Sequence, residues 1–181
     1  MYDDNVTYGS GVVTRRKRLS GGRFLAQSNG PSQNASAVNT AIVHTGTTTL
    51  TTLWTGPVIE AFELNNPDQS IEVEIRGKWG SGTTATTIYV ALEGATGNLA
   101  QVNSPLNSPN VFVIRAVIVS RGVNSQLVHT ELLTHAAASL TATSVARTAD
   151  VSTDRAIQVR AALGANENTL TIDRIKVTRL G

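Results

Sequence analysis

Ile71-Glu72-Val73-Glu74-Ile75-Arg76-Gly77-Lys78-Trp79 alternates apolar and charged residues one by one. Successive side chains of a strand point to opposite faces, so Ile71, Val73, Ile75 and Trp79 share one face. Glu72, Glu74, Arg76 and Lys78 share the other. The stretch predicts a β-strand with one buried and one wet face, the habit of an antiparallel sheet. Neighbouring runs repeat the period. Ile88, Val90 and Leu92 alternate with Tyr89, Ala91 and Glu93, and Ile157, Val159, Ala161 and Leu163 alternate with Gln158, Arg160 and Ala162. In the run from Leu170 to Leu180, Leu170 and Ile172 are in step, Asp173-Arg174 intervene, and Ile175 and Val177 resume. That one-residue change of phase predicts a β-bulge.

From residue 38 onward Val, Ile and Thr recur in short runs, and the chain holds 24 threonines, most of them there. β-Branched side chains lose less freedom on a pleated strand than in a helix. Turn signals separate the runs at Asn65-Asn66-Pro67-Asp68, Gly80-Ser81-Gly82, Gly94 to Asn98, Ser108-Pro109-Asn110, Gly122-Val123-Asn124 and Gly164-Ala165-Asn166. Eight or nine strands so spaced predict an all-β, antiparallel β-sandwich of jelly-roll type over residues 38–181. Glu131 to Ser139 is the one helix-compatible piece.

Val111 to Arg121 departs from simple alternation. Phe112, Ile114, Ala116 and Ile118 make one wholly apolar face, and Val111, Val113, Val117 and Val119 stand beside Arg115 and Arg121 on the other. One face of a strand in a sandwich meets the core. The second calls for a cover, either a neighbouring subunit, which makes Val111, Val113, Val117 and Val119 a candidate subunit interface, or a loop of the same chain.

Residues 1–37 have no sustained period and are rich in Gly, Ser and Asn. Such a segment cannot bury enough apolar surface to offset its ordering entropy. Charge is concentrated there: residues 1–30 carry five basic groups against two acids, and residues 31–181 carry ten against eleven, together the net +2. The segment reads as a flexible basic arm for docking onto a protein partner. Arg15, Arg16, Lys17 and Arg18 supply charge, and Phe24 and Leu25 are apolar anchors. Contact with packaged DNA is the competing use of four clustered cations. Protein docking is favoured because the arm also carries apolar anchors, Val12-Val13 and Phe24-Leu25, and lacks a run of aromatics to stack on bases. The near-neutral remainder does not read as a nucleic-acid-binding domain.

The chain has no cysteine, which excludes disulfides and thiolate metal sites. Its longest strongly apolar stretch, Val111 to Val119, is interrupted by Arg115 and falls far short of the roughly 20 residues of a membrane helix. The amino-terminal residues contain no apolar signal region, so assembly in a cell's interior is expected. His129 and His135 lie six apart with no carboxylate pattern of a zinc site, and His44 precedes a turn that it could stabilise by a hydrogen bond. No serine sits in a Gly-x-Ser-x-Gly elbow, and Glu72 and Glu74 share their face with Arg76 and Lys78, as a solvated charged face does. Neither an enzyme nor a cofactor is expected. Eight aromatics in 181 residues supply few platforms for sugar.

Two segments carry a resemblance. His44-Thr45-Gly46-Thr47-Thr48-Thr49-Leu50-Thr51-Thr52-Leu53-Trp54-Thr55-Gly56 resembles the opening strand of jelly-roll-like bacteriophage virion proteins. Lys78-Trp79, a threonine-rich hairpin and Ile88-Tyr89-Val90-Ala91-Leu92-Glu93-Gly94 resemble the strand, polar turn and strand that follow there, with Glu93 where that family has glycine. The likeness spans about residues 40–130. It implies a module of phage heads or tails, often trimeric. The expectation is a capsid decoration or cement protein, assembled in the host cytoplasm into the virion as a homotrimer and bound to the major capsid protein. Nucleic acid and membrane are not expected partners. The alternative is a tail-fibre or receptor-binding module that is held by the arm and binds host glycan.

Overall fold

The computed structural model describes residues 14–18, 24–28, 34–37, 41–61, 63–65, 69–80, 82, 84–95, 97–104, 110–122, 124–134 and 139–180, with side chains from residue 41 onward apart from 65, 139 and 140. Two compact units divide the chain, residues 1–33 and residues 34–181. In the first, β1 (Thr14–Arg18) pairs antiparallel with β2 (Phe24–Ser28). The absence of period in this region therefore conceals a hairpin. The second unit opens with β3 (Asn34–Ala37), a stretch counted with the arm above. It pairs with the last strand of the chain.

The second unit is an antiparallel sandwich, as the alternation predicts. Its strands continue with β4 (Ile42–Thr45), β5 (Thr51–Ile59), β6 (Ser70–Trp79), β7 (Thr87–Leu92), β8 (Asn98–Asn103), β9 (Asn110–Gly122), β10 (Ser125–Thr134), β11 (Ser139–Arg147), β12 (Arg155–Ala162) and β13 (Thr169–Leu180). The larger sheet runs β11-β10-β9-β6-β13-β3, with β4 also on β13, and the smaller runs β5-β12-β7-β8. The chain crosses between layers repeatedly, so each sheet is built from distant segments. Ten described strands lie within residues 38–181 where eight or nine are expected, and β3 makes eleven. Within the stretch Glu131 to Ser139 the described residues are strand: residues 131–134 complete β10 and Ser139 opens β11, each paired, and residues 135–138 lie outside the described residues. Tertiary pairing overrides local helix propensity here. The one helical turn among the described residues is the 3-10 piece Glu63–Asn65.

The core lies where the alternation puts it. Ile71, Val73, Ile75 and Trp79 of β6 are buried beside Phe112, Ile114, Ala116 and Ile118 of β9 and Leu170, Ile172, Ile175 and Val177 of β13. They face Ile88, Val90 and Leu92 of β7 and Ile157, Val159 and Ala161 of β12. Burying each such aliphatic side chain contributes roughly 1.5–3 kcal/mol. Trp79 stacks on Phe112, ring centroids 4.2 Å apart and planes 15° from parallel. The bulge expected at Asp173-Arg174 is present. The β13–β6 register steps from Ile172↔Gly77 to Arg174↔Arg76, leaving Asp173 without an opposite residue. Gly77 lies at this step because a Cβ there would stand 2.2 Å from the Thr171 carbonyl oxygen. Pro57 is tolerated because β5 is an edge strand, paired among the described residues only with β12, and the register shifts across Gly56-Pro57.

Candidate functional site

The residues expected to dock fall in both units. Arg15, Arg16, Lys17 and Arg18 lie on β1, and Phe24 and Leu25 open β2. The backbone register sets Phe24 opposite Arg18 and Leu25 opposite Lys17. The hairpin thus draws the basic and apolar parts of the segment side by side. Their side chains lie outside the described residues.

Val111, Val113, Val117 and Val119 stand on the outer face of the larger sheet. Strand pairing puts Leu127, His129, Glu131 and Leu133 of β10 on one flank of this row and Ser70, Glu72, Glu74, Arg76 and Lys78 of β6 on the other. Val111 is 56% exposed and Leu133 49%, while Val113, Val117 and Val119 are half-buried among their neighbours. Arg115 interrupts the valines and holds three carboxylates around it: Glu72 at 3.7 Å, Glu74 at 3.9 Å and Glu131 at 3.7 Å. Glu74 also accepts a hydrogen bond of 2.8 Å from Arg76 Nε. That bond, followed by the nearby charges of Arg76, Arg115 and Arg174, holds the Glu74 carboxyl below its usual range against the opposing effect of burial. The face expected to be simply solvated is therefore more closely built, for Glu74 is only 8% exposed. Its carboxylates Glu72, Glu74 and Glu131 are paired with Arg115 and Arg76 within the sheet, and the valines stand beside them.

Elsewhere the titratable groups have structural duties. His44 is buried in β4, opposite Leu170, and its Nε2 has no hydrogen-bond partner. It does not stabilise the following turn as expected, and burial pushes its imidazole below the ordinary value of 6.5. His129 Nδ1 lies 2.6 Å from Ser144 Oγ on the outer face. His135 is outside the described residues. Arg155 ties a loop together. Its guanidinium donates to the Asp150 carbonyl at 2.7 Å, the Asp150 carboxylate at 2.9 Å and the Glu93 carbonyl at 2.8 Å. Hydrogen bonds from Ser152, then from Arg155, bring the Asp150 carboxyl down to about 2. Arg179 likewise bridges Glu63 at 2.6 Å and the Val58 carbonyl at 2.8 Å. Among the described residues, no three His, Asp or Glu side chains are grouped to hold a metal ion.

Two features went unread in the sequence. A cleft of about 230 Å³ lies between the start of β8 and the end of β11, lined by Gly97, Asn98, Leu99, Ala146, Arg147 and Ala149 among others. Arg147 crosses it and donates from Nε to the Leu99 carbonyl at 3.2 Å. Gln126, wholly buried, fixes one wall by pairing both ways with the Ala149 backbone, at 2.9 and 3.3 Å. The second feature is a cross-strand row, His44–Leu170–Trp79–Asn110, in which His44 Nε2 and Trp79 Nε1 are both buried without a hydrogen-bond partner. Neither residue sits in a local motif, since only sheet register makes them neighbours.

No protein-family model matches this sequence, and no curated protein does. Among solved structures, the chain is similar to lectin I from Ulex europaeus in complex with the methyl glycoside of α-L-fucose. That likeness has a TM-score of 0.40 and 10% identity, and it covers 98% of this chain and 90% of that one.

Proposed function

We propose that the protein is a structural component of a bacteriophage particle, a decoration or cement protein that binds the major capsid protein, stabilises the shell and acts as a homotrimer without catalysing a reaction. The observation that supports this reading best is the outer face of the larger sheet. Its carboxylates are already paired by Arg115 and Arg76, and Val111, Val113, Val117 and Val119 run between them. A surface whose charges are internally compensated loses less on desolvation than one bearing isolated ions, so a neighbour can cover it. The valines then contribute about 25 cal/mol for each Å² of apolar area removed from water, repeated at every site of a lattice. The arm, with Arg15, Arg16, Lys17, Arg18, Phe24 and Leu25, would add a second attachment to the neighbouring capsid protein.

Particles assembled with and without the protein test the reading. Those lacking it should release DNA at lower temperature and under milder osmotic shock, and adding the purified protein back should restore both. Unchanged release in the two preparations rejects a cement role. Copy number separates the tail-fibre or receptor-binding alternative. Hundreds of copies per particle fit a shell, and a few tens or fewer fit a tail appendage that binds host glycan.

A further inference from the structure

The geometry points to a peptide-binding groove between the open edges of β8 and β11, which takes an extended polypeptide ending in a free carboxylate that Arg147 receives. β8 is the last strand of the smaller sheet and β11 the last of the larger, and they lie on the same side of the sandwich. Among the described residues, β8 pairs only with β7, and β11 only with β10. Each therefore presents a row of backbone N–H and C=O groups with no ladder partner. The two sheets do not end together. β8 packs against β10 and β9, so the larger sheet extends one strand beyond it.

The overhang forms a shelf. Thr141, Thr143 and Val145 stand opposite Leu132, Thr130 and Val128, hence on the core side of the larger sheet, yet all three are exposed, Val145 by 40%. A strand added to β8 would lie roughly 4.8 Å beyond it. That position is over this shelf, so one occupant would complete the smaller sheet and cover Thr141, Thr143 and Val145 together. Both edges also lack the usual protection: neither strand contains lysine or proline, and the one charged residue in either is Arg147.

Arg147 selects the occupant. It closes the groove at the Leu99 end, where Leu99 is the extra residue at the β7–β8 register shift and its carbonyl accepts from Arg147 Nε. Among the described residues, no carboxylate lies within ion-pair distance of this guanidinium, and the hydrogen bond it makes is the one from Nε. β8 runs from Asn98 to Asn103, so a strand pairing antiparallel with it advances from Asn103 toward Asn98. It would bring its carboxyl terminus to Arg147, whereas a parallel strand would bring its amino terminus and meet repulsion. Charge and direction thus agree on one ligand. Its last residues would pair with β8 between Asn103 and Ala100, and its terminal group would enter the adjoining cleft. This is strand addition combined with capture of a chain end. It supplies a recognition mode for a protein partner without depending on that partner being a capsid.

The test uses the full chain, labelled with ¹⁵N, and two synthetic peptides, acetyl-Thr-Val-Thr-Val-Val with a free carboxyl terminus and the same peptide amidated. The free acid should shift the backbone amides of residues 99–103 and 141–147 and slow their exchange with solvent, and the amide should bind at least tenfold more weakly. Arg147→Gln should remove that preference while leaving the spectrum outside the groove unchanged. A second variant, Val145→Lys, should weaken both peptides by obstructing the shelf. Absence of perturbation by the free acid at millimolar concentration overturns the proposal. So does equal affinity for acid and amide. Binding of sodium glucuronate as tight as that of the peptide, with no protection of β8 amides, overturns it in favour of an acidic-sugar site. Particle-release assays read the cement role separately, so the two ideas fail independently.

Discussion

Gly77 illustrates how much one residue of the decisive strand carries beyond its place in the pattern. Alternation puts it on the core face between Ile75 and Trp79, where a larger apolar residue would seem natural. A Cβ there would stand 2.2 Å from the Thr171 carbonyl oxygen and 2.9 Å from Phe112 Cζ. The first obstacle is backbone and cannot rotate away. Gly77→Ala should therefore destabilise the fold by about 1–3 kcal/mol through overpacking. A lower urea midpoint at unchanged slope would show it, and an unchanged midpoint would mean that β6 and β13 separate freely at the bulge. Protonation acts on other single residues. Burial lowers the His44 pKa, hydrogen bonding to Arg76 lowers that of Glu74, and bonds from Ser152 and Arg155 lower that of Asp150. In each case the unfolded chain takes up its proton at a higher pH than the folded chain, so stability falls as pH falls. His44 contributes first, as pH drops below about 6.5. The contribution of Asp150 is full above 3.8 and is lost as pH falls through about 2. His44→Leu should flatten the stability curve between pH 7 and 5 and leave the decline below pH 4 in place, as read by urea unfolding across that range. An unaltered slope above pH 5 would show that His44 keeps its ordinary pKa in the folded state.

Among elements, β13 was read correctly because its information is local. Leu170 and Ile172 share a phase, Ile175 and Val177 share the opposite one, and only an extra residue keeps both pairs on the core side. Deleting Asp173 should remove the bulge and leave a regular strand that still folds, with Ile175 and Val177 opposite Ile75 and Val73 on the core face. Asp173→Ala, which keeps the spacing, should change stability by no more than about 0.5 kcal/mol. Circular dichroism and solubility of the two variants decide this, and a deletion variant that fails to fold would show that the bulge itself is needed. Glu131 to Thr134 and Ser139 are strand where the local sequence suits a helix, for the complementary reason. Leu132, Leu133 and the alanines at 136–138 suit a helix locally, whereas strand pairing with β9 and β11 is non-local and left no trace in that stretch. β8 and β11 gave weak signals because edge strands, wetted on more sides, need not alternate. β11 is exposed on both faces at Thr141, Ala142, Thr143, Ser144 and Val145.

For the whole molecule, the candidate docking row on β9 could be read in advance because Val111, Val113, Val117 and Val119 exceed what one buried face requires. What lies around them could not. The carboxylates grouped on Arg115 come from β6 and β10, up to 59 residues apart between Glu72 and Glu131, and only the register joins them. The Arg147 cleft was hidden for the same reason, since its walls belong to different sheets. This arrangement fixes how the proposed assembly should respond to substitution. Val111 projects into solvent at the end of the row, so Val111→Asp should leave the melting temperature of the isolated protein nearly unchanged. It would nevertheless bury a carboxylate, and Lys78 opposite it, inside any interface that covers the row, and desolvating both can cost several kcal/mol. Sedimentation should therefore show a trimer for the wild type and a smaller species for Val111→Asp, and the variant should fail to rescue particles that lack the protein. Arg115→Ala makes a sharper comparison. It leaves Glu72, Glu74 and Glu131 without their shared cation, so it should weaken both the fold and the assembly, more at low salt than at high salt, where repulsion among the three carboxylates is screened. A wild-type protein that remains monomeric at high concentration, with Val111→Asp binding particles as well as the wild type, would remove this face from the assembly and leave the basic hairpin as the attachment to test.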